Sequence, residues 1–294
     1  MKRVKRVSEV SKVASGSMLQ EILPKMEMHE YQLISDPFFY PIWIEINSLW
    51  SHWGTFIDYS LRRIINRLTN TPISDKRCKD VIQGKMNKLT HSSPIIHISD
   101  ELKQITSSSY ERYVNPLLST YDTLLDTWVV SLARSIWYNE ISEEFWNKYY
   151  KLQLDDSNES TNSELKRLSI TLKTLIRKMC FILSKDKTED KFCIRTNPSL
   201  CIEGVLYGDA DLLIDDCVIE FKCSKNECVN SSNFIQIMAY ASLVRHSGKL
   251  KERNFKSQCG RIAILNPVKG TFYIQDISSW NGHDELIEFL KEII

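Results

Sequence analysis

The chain has 294 residues, of which 43% are hydrophobic, enough for one large domain or two small ones with a sizeable core. Its formal net charge is only +1, which excludes binding to nucleic acid through basic charge spread over the whole surface; a DNA-binding surface would have to be local. The amino terminus lacks the apolar stretch of a secretory signal and no window is apolar enough to span a membrane, so we expect an intracellular protein with no membrane partner.

The amino-terminal half is predicted to be helical or irregular. Residues 1–35 form a segment that we expect to be partly flexible, and residues 36–294 a single domain. That domain is expected to begin with a core helix at about 40–68, to continue with a helical insertion at about 70–190, and to end with a sheet and its helices at about 191–294. Two basic runs could face DNA, although such runs are usually solvated faces: Lys2, Arg3, Lys5 and Arg6, and then Arg62, Arg63 and Arg67.

Apolar spacing divides the insertion. Residues 71–108 are expected to be mixed and loop-like. Residues 110–152 are predicted to form helices, because core-forming side chains from Leu117 to Val129 recur at helical spacing. The polar stretch 154–163 is predicted to be a linker, and 164–185 a further helix.

The carboxyl-terminal part is predicted to mix strands and helices. Three strands are expected between about 192 and 222, then a helix at 232–247, strands at 261–267 and 271–274, and a last helix at 282–293.

The most informative segment is a predicted hairpin with its two-residue loop at 215–216. This register places Asp211 opposite Glu220 and Asp209 opposite Lys222, with cross-strand Cβ atoms about 5 Å apart. Side chains alternate between faces, so these four polar groups share one face of the hairpin. The other face is apolar: Ala210, Leu212, Ile214, Cys217, Ile219 and Phe221.

Two neighbouring carboxylates repel each other unless something neutralises them, and a divalent cation such as Mg²⁺ or Mn²⁺ suits hard oxygen ligands. A lysine on the same face could assist an attacking water or stabilise developing phosphoryl charge. Together with a metal ion and the acids, such a lysine could catalyse phosphodiester hydrolysis. The alternative is an interstrand salt bridge between Asp209 and Lys222 on an exposed sheet face.

The helix after the hairpin adds a third element. Ser232 is its expected N-cap, and Gln236 and Tyr240 are four residues apart and share a helix face. In isolation such a pair is more often a core tyrosine beside a solvated glutamine.

The order Gly208-x-x-Asp211, then Glu220-x-Lys222, then Gln236-x-x-x-Tyr240 resembles the PD-(D/E)XK nuclease superfamily, in particular its RecB-like branch with the lambda-type exonucleases. The resemblance implies an α/β fold with a restriction-endonuclease-like αβββαβ core, a central mixed sheet flanked by helices, here with an added helical region. It implies that Asp211, Glu220 and the Phe221 carbonyl bind Mg²⁺ or Mn²⁺, and that Lys222 positions water or stabilises charge. It implies that Gln236 and Tyr240 orient the site or contact DNA. The proline of the family name is absent.

The family also places an acid or histidine on an upstream helix. Asp58 is the candidate in this chain, although an aspartate is shorter than the histidine or glutamate more often found there, and it could equally be a surface acid. Glu45 and His52 are weaker candidates.

The eight cysteines show no CxxC spacing typical of zinc. Some RecB-like nucleases hold an iron–sulfur cluster with one upstream cysteine and three closely spaced near the carboxyl end. In this chain only Cys259 follows Tyr240, so the resemblance implies no iron–sulfur cluster. Reduced, partly buried thiols are expected, with Cys217 and Cys223 packed in or beside the hairpin.

These observations favour a Mg²⁺-dependent deoxyribonuclease, an exonuclease or end-processing nuclease of replication, recombination or repair. A structure-specific or restriction-type endonuclease and a non-catalytic DNA-binding protein of the same fold remain alternatives.

Overall fold

A computed structural model describes residues 5–7, 9, 17–35, 50–73, 75–85, 98–137, 142–151, 159–184, 192–202, 206–246 and 259–292. The chain divides into two compact units. Unit 1 comprises Met1–Phe38 with Lys178–Ile294, and unit 2 comprises Phe39–Arg177. The flexible segment 1–35 followed by one domain at 36–294 stays a prediction; in this division the amino-terminal residues group with the carboxyl-terminal sheets.

The described part of unit 1 contains nine strands, all short. In chain order β1–β9 are Lys5–Arg6, His29–Gln32, Ile194–Thr196, Ser199–Ile202, Leu206–Asp209, Leu212–Ile214, Cys217–Phe221, Arg261–Asn266 and Thr271–Asp276. Six of them form a mixed sheet in the order β2-β9-β8-β7-β6-β3, in which only β7 and β8 are parallel among the described pairs. The protein is therefore α/β with a mixed sheet, as predicted.

The remaining strands form a three-stranded sheet in the order β1-β5-β4. The region from 192 to 222 thus holds five short strands rather than the three predicted. The chain passes from the small sheet to the large one at Ala210–Asp211, between β5 and β6. Strands β6 and β7 are buried along their whole length, since the sheet is covered on both faces there and the hairpin is not exposed on its polar side.

The described helices of unit 1 are α1 (Ser17–Ile22), α8 (Ser231–His246), α9 (His283–Glu292) and the last turns of α7 (Glu159–Ser184). Helix α8 packs against β4 and β5 of the small sheet and β7 and β8 of the large one, and every side chain from Phe234 to Val244 is buried. A helix that is buried on all sides needs no polar stripe, which explains its nearly continuous apolar sequence. Its N-cap is Asn230 rather than Ser232, because the Asn230 side chain accepts the backbone N–H of Asn233 at 3.0 Å.

The described helices of unit 2 are α2 (Trp50–Leu68), α3 (Lys76–Ile82), α4 (Asp100–Val114), α5 (Leu124–Trp137), α6 (Glu143–Lys151) and most of α7. Their core is rich in aromatic residues, and Trp53, Trp128 and Trp146 are each at most 1% exposed. None of the helices that the structure describes is long and apolar enough to cross a membrane.

Several predictions for unit 2 were wrong in detail. The stretch 71–108 contains α3 and the first half of α4, capped by the side chains of Asp75 and Ser99, and is not loop-like where it is described. The last five residues of the predicted linker 154–163 already belong to α7. Leu117 is 88% exposed, since it lies between helices rather than within one.

Candidate functional site

The β6–β7 hairpin forms in the predicted register. Leu212 pairs with Ile219, Leu213 with Val218 and Ile214 with Cys217, around a tight loop at 215–216. Asp215 adopts a φ of 51°, a left-handed conformation that aspartate tolerates in such turns. This register fixes which residues face each other at the open end of the hairpin.

Asp211 lies at that open end, where the regular backbone pairing between β6 and β7 stops. Its Oδ2 accepts the backbone N–H of Phe221 at 2.7 Å, and the regular pairing of β6 with β7 stops one residue earlier. The carboxylate therefore replaces a backbone partner and is held beside the strand that carries Glu220 and Lys222. The Phe221 backbone carbonyl stays a predicted ligand.

The predicted pairing of Asp209 with Lys222 is wrong. Asp209 belongs to β5 in the small sheet, where it pairs with Ser199 and accepts the Ser199 hydroxyl at 2.6 Å. The continuous hairpin is interrupted because the chain changes sheets at Ala210, so the interstrand salt bridge Asp209–Lys222 does not form either.

Lys222 instead joins the strand to helix α8. Its Nζ donates to Glu220 Oε1 at 3.0 Å and to Gln236 Oε1 at 2.9 Å. The Gln236 amide nitrogen in turn donates to Glu220 Oε1 at 3.1 Å and to the Tyr240 hydroxyl at 3.0 Å. The amide orientation is fixed, since an ammonium only donates and a carboxylate only accepts. Four of the predicted site residues thus form one hydrogen-bonded cluster.

Burial gives this cluster its electrostatic character. Glu220 is only 6% exposed, so its charge requires the cation and amide that contact it. Burial lowers the pKa of Lys222, but the charge and hydrogen bond of Glu220, with a contribution from Asp211, outweigh burial and raise that pKa above its ordinary value. Burial, then the charge of Glu220, raises the pKa of the Tyr240 phenol far above its ordinary value. Lys222 is a cation and Tyr240 a neutral hydroxyl at any ordinary pH.

Gly208 makes room for the Tyr240 ring. A Cβ at position 208 would lie 2.4 Å from Tyr240 Cε1, far closer than carbon atoms approach without strain, and 3.2 Å from the Cβ of Val7, which is a tight contact. A glycine at the start of the Gly-x-x-Asp motif is therefore explained by packing: it lets the Tyr240 ring, and with it α8, lie close against β5.

Asp58 lies on α2 in unit 2, where its Oδ1 accepts Arg62 Nε at 2.6 Å. Its assignment to the site stays a prediction. His52, also in unit 2, is buried and hydrogen-bonded through Nδ1 to Ser135 at 3.0 Å, and it too stays a prediction. Glu45 lies outside the described residues.

The basic run on α2 is divided among different roles. Arg63 is fully buried and donates to backbone carbonyl groups of Tyr113, Asn115 and Leu118, so it holds the carboxyl end of α4 and is not available to DNA. Arg62 pairs with Asp58. Of the amino-terminal run, Arg6 donates to the Tyr207 hydroxyl at 2.7 Å.

Each of the eight cysteines, all in the described part of the chain, is a thiol rather than half of a disulfide. Burial raises the pKa of Cys217 well above its ordinary value and that of Cys259 to about 12, which makes both poor nucleophiles. Cys217 is fully buried in the hairpin, as predicted, and Cys223 is partly buried beside it.

One organising residue was not predicted from the sequence. Asn266 is fully buried at the end of β8, where its amide donates to the Ser224 carbonyl at 2.9 Å and its Oδ1 accepts the N–H groups of Val268 and Lys269. It ties the loop that follows Lys222 to the β8–β9 turn. The asparagine before Pro267 resembles an ordinary turn residue, so the sequence gives no signal of this role.

No protein-family model, curated protein or solved structure matches this chain.

Proposed function

We propose that the chain is a metal-dependent deoxyribonuclease of the PD-(D/E)XK superfamily, an exonuclease or end-processing nuclease acting in replication, recombination or repair. The observation that carries the proposal is the cluster in which Lys222 bridges Glu220 and Gln236 beside Asp211. The strands and helix that hold it follow the order that the sequence resemblance implies: a hairpin, a helix and a parallel strand.

The donor set fits a hard divalent cation. Asp211 and Glu220 supply carboxylate oxygens from neighbouring positions of the hairpin, which suit Mg²⁺ or Mn²⁺. In the described ranges no group of three or more His, Cys, Asp or Glu side chains is placed to hold a metal. Two carboxylates are nevertheless enough for Mg²⁺, which commonly keeps several waters and phosphate oxygens as ligands. Bound there, the cation would supply Lewis-acid polarisation of a phosphodiester.

The residues of the chain have distinct roles in such a reaction. Lys222 presents a fixed positive charge on a side chain that is 22% exposed, so a phosphate oxygen can approach it. Gln236 fixes both Glu220 and Lys222 through its amide, and Tyr240 fixes Gln236 in turn. The buried helix α8 therefore acts as the rigid support of the charged groups.

The test is cleavage of end-labelled linear DNA and covalently closed circular DNA in Mg²⁺, Mn²⁺ or EDTA, with wild type and Asp211→Asn. We expect metal-dependent degradation of linear DNA that is abolished in the variant. Cleavage of the closed circle would identify an endonuclease instead. An absence of cleavage for every DNA form and both metals would refute the enzymatic proposal.

A further inference from the structure

An open polar pocket of about 510 Å³ lies on the large sheet away from the hairpin. Its lining residues come from the edge strand β2, from β9, from the β8–β9 turn and from the loop after β7. They include Glu30, Thr271, Tyr273, Glu227 and Lys269.

The strand register connects this pocket to the candidate site. Glu220 pairs with Ile264, Ile264 with Tyr273, and Tyr273 with Glu30. Directly paired residues project to the same face of a sheet, so the four side chains form one row on one face. With about 4.8 Å between strands, the pocket floor at Tyr273 lies about 10 Å along the sheet from Glu220.

The wall of the pocket is connected to the site as well. Lys222 begins the loop that carries Glu227, and this loop ends at the Asn230 cap of α8. Asn266 holds the same loop against the turn that carries Lys269. The pocket and the cluster therefore share one sheet face and one loop.

The chemistry of the pocket favours a hydrogen-bond donor over a phosphate. Glu30 and Glu227 are exposed carboxylates and Lys269 is one cation, so the lining is net negative. Tyr273 and Thr271 form a buried floor, at 9% and 3% exposure. Thr271 Oγ1 is enclosed beside Tyr273 and is not accessible from the pocket, so the exposed carboxylates of Glu30 and Glu227 are the acceptors that the pocket offers to a ligand.

We propose that this pocket binds an unpaired nucleobase that carries an exocyclic amine, on a nucleotide close to the phosphodiester held at Asp211 and Glu220; this inference rests on the proposed function. Carboxylates accept from the N4 amine of cytosine, whereas thymine presents the O4 acceptor at that position. An open pocket suits a base attached to a longer strand. Because the base must be unpaired to enter, the proposal specifies single-stranded or frayed DNA as the bound form.

The experiment measures binding without cleavage. Fluorescent oligodeoxycytidine and oligodeoxythymidine of equal length are titrated in EDTA with wild type, Glu30→Gln, Glu227→Gln and the control Glu285→Gln, an exposed acid on α9. We expect oligodeoxycytidine to bind about fivefold to tenfold more tightly than oligodeoxythymidine. Each pocket variant should reduce this ratio and the control should not. Circular dichroism checks that the variants fold.

The outcomes separate this inference from the proposed function. A cytosine preference that the pocket variants reduce supports the pocket, even if no DNA is cleaved. Equal affinity for both oligonucleotides, no binding, or a preference that neither variant changes overturns it, even if cleavage is observed.

Discussion

Gly208→Ala tests the packing that positions α8 over the site. The added methyl group would lie 2.4 Å from Tyr240 Cε1 and 3.2 Å from Val7 Cβ. Carbon atoms normally keep about 3.5–4.0 Å apart, so the ring must move by about 1 Å or more. Tyr240 is only 3% exposed, so its ring is packed on nearly every side.

The expected cost has two parts. Overpacking a buried site costs about 1–3 kcal/mol, and losing the alignment of the Tyr240 hydroxyl with Gln236 costs about 1 kcal/mol more. We therefore expect Gly208→Ala to lower the free energy of unfolding by about 2–4 kcal/mol. Cleavage activity should fall with it, because Gln236 loses the hydroxyl that orients it.

The assay is urea unfolding followed by circular dichroism, with hydrogen exchange of α8 amides to locate the effect in unit 1. Tyr240→Ala provides the control background, because it removes the ring that the methyl group meets. In that background Gly208→Ala should cost less by at least about 1 kcal/mol. The packing argument would be refuted if Gly208→Ala lowered the free energy of unfolding of the wild type by less than about 0.5 kcal/mol. It would also be refuted if the loss were equal with and without Tyr240→Ala.

Three further predictions concern other parts of the molecule. His283 is buried and hydrogen-bonded through Nδ1 to the Ser242 hydroxyl, and burial first, then the charge of Arg245, lowers its pKa to about 4. Because the unfolded chain binds the proton more readily, stability should decline by about 3 kcal/mol as the pH falls from about 6.5 to about 4, and His283→Gln should flatten this decline in urea midpoints measured at both pH values. Arg63→Lys should destabilise unit 2 by about 2–4 kcal/mol in urea, since an ammonium cannot satisfy all the carbonyl groups that the guanidinium contacts; an unchanged midpoint would contradict that role. Mg²⁺ at about ten times its dissociation constant should raise stability by about 1.4 kcal/mol in wild type but not in Asp211→Asn, as measured by thermal melts; an equal rise in both would place the ion elsewhere.

The hairpin was predictable because two strong local signals agree. Residues 215–216 form the tight loop, and β-branched and apolar residues flank it, so the register follows from counting. Asp211 and Glu220 are neighbours for this reason. The error at Asp209 has a tertiary cause: the carboxylate of Asp211 takes the Phe221 N–H, and β5 pairs with β4 and β1 in another sheet. The hairpin sequence alone does not indicate that a side chain will take this backbone N–H or that β5 will pair in another sheet.

Helix α8 was predictable as a helix, and the shared face of Gln236 and Tyr240 followed from their spacing. Its complete burial between two sheets was not, since a single sequence does not report what packs on each face. The strand β2 was missed for a similar reason: His29–Gln32 is polar and mostly exposed, and only its pairing with β9 makes it a strand. The pocket could not be predicted, because its lining residues come from three separate segments of the chain.

The most direct test of the account is the single-turnover rate of DNA cleavage in Mg²⁺ for wild type, Lys222→Ala and Lys225→Ala. Both lysines lie on the same loop, but Lys225 is exposed and lies outside the hydrogen-bonded cluster that Lys222 joins to Gln236. The account predicts a loss of about a hundredfold or more for Lys222→Ala and little change for Lys225→Ala. Equal rates for wild type and Lys222→Ala would contradict the assignment of this cluster as the active site.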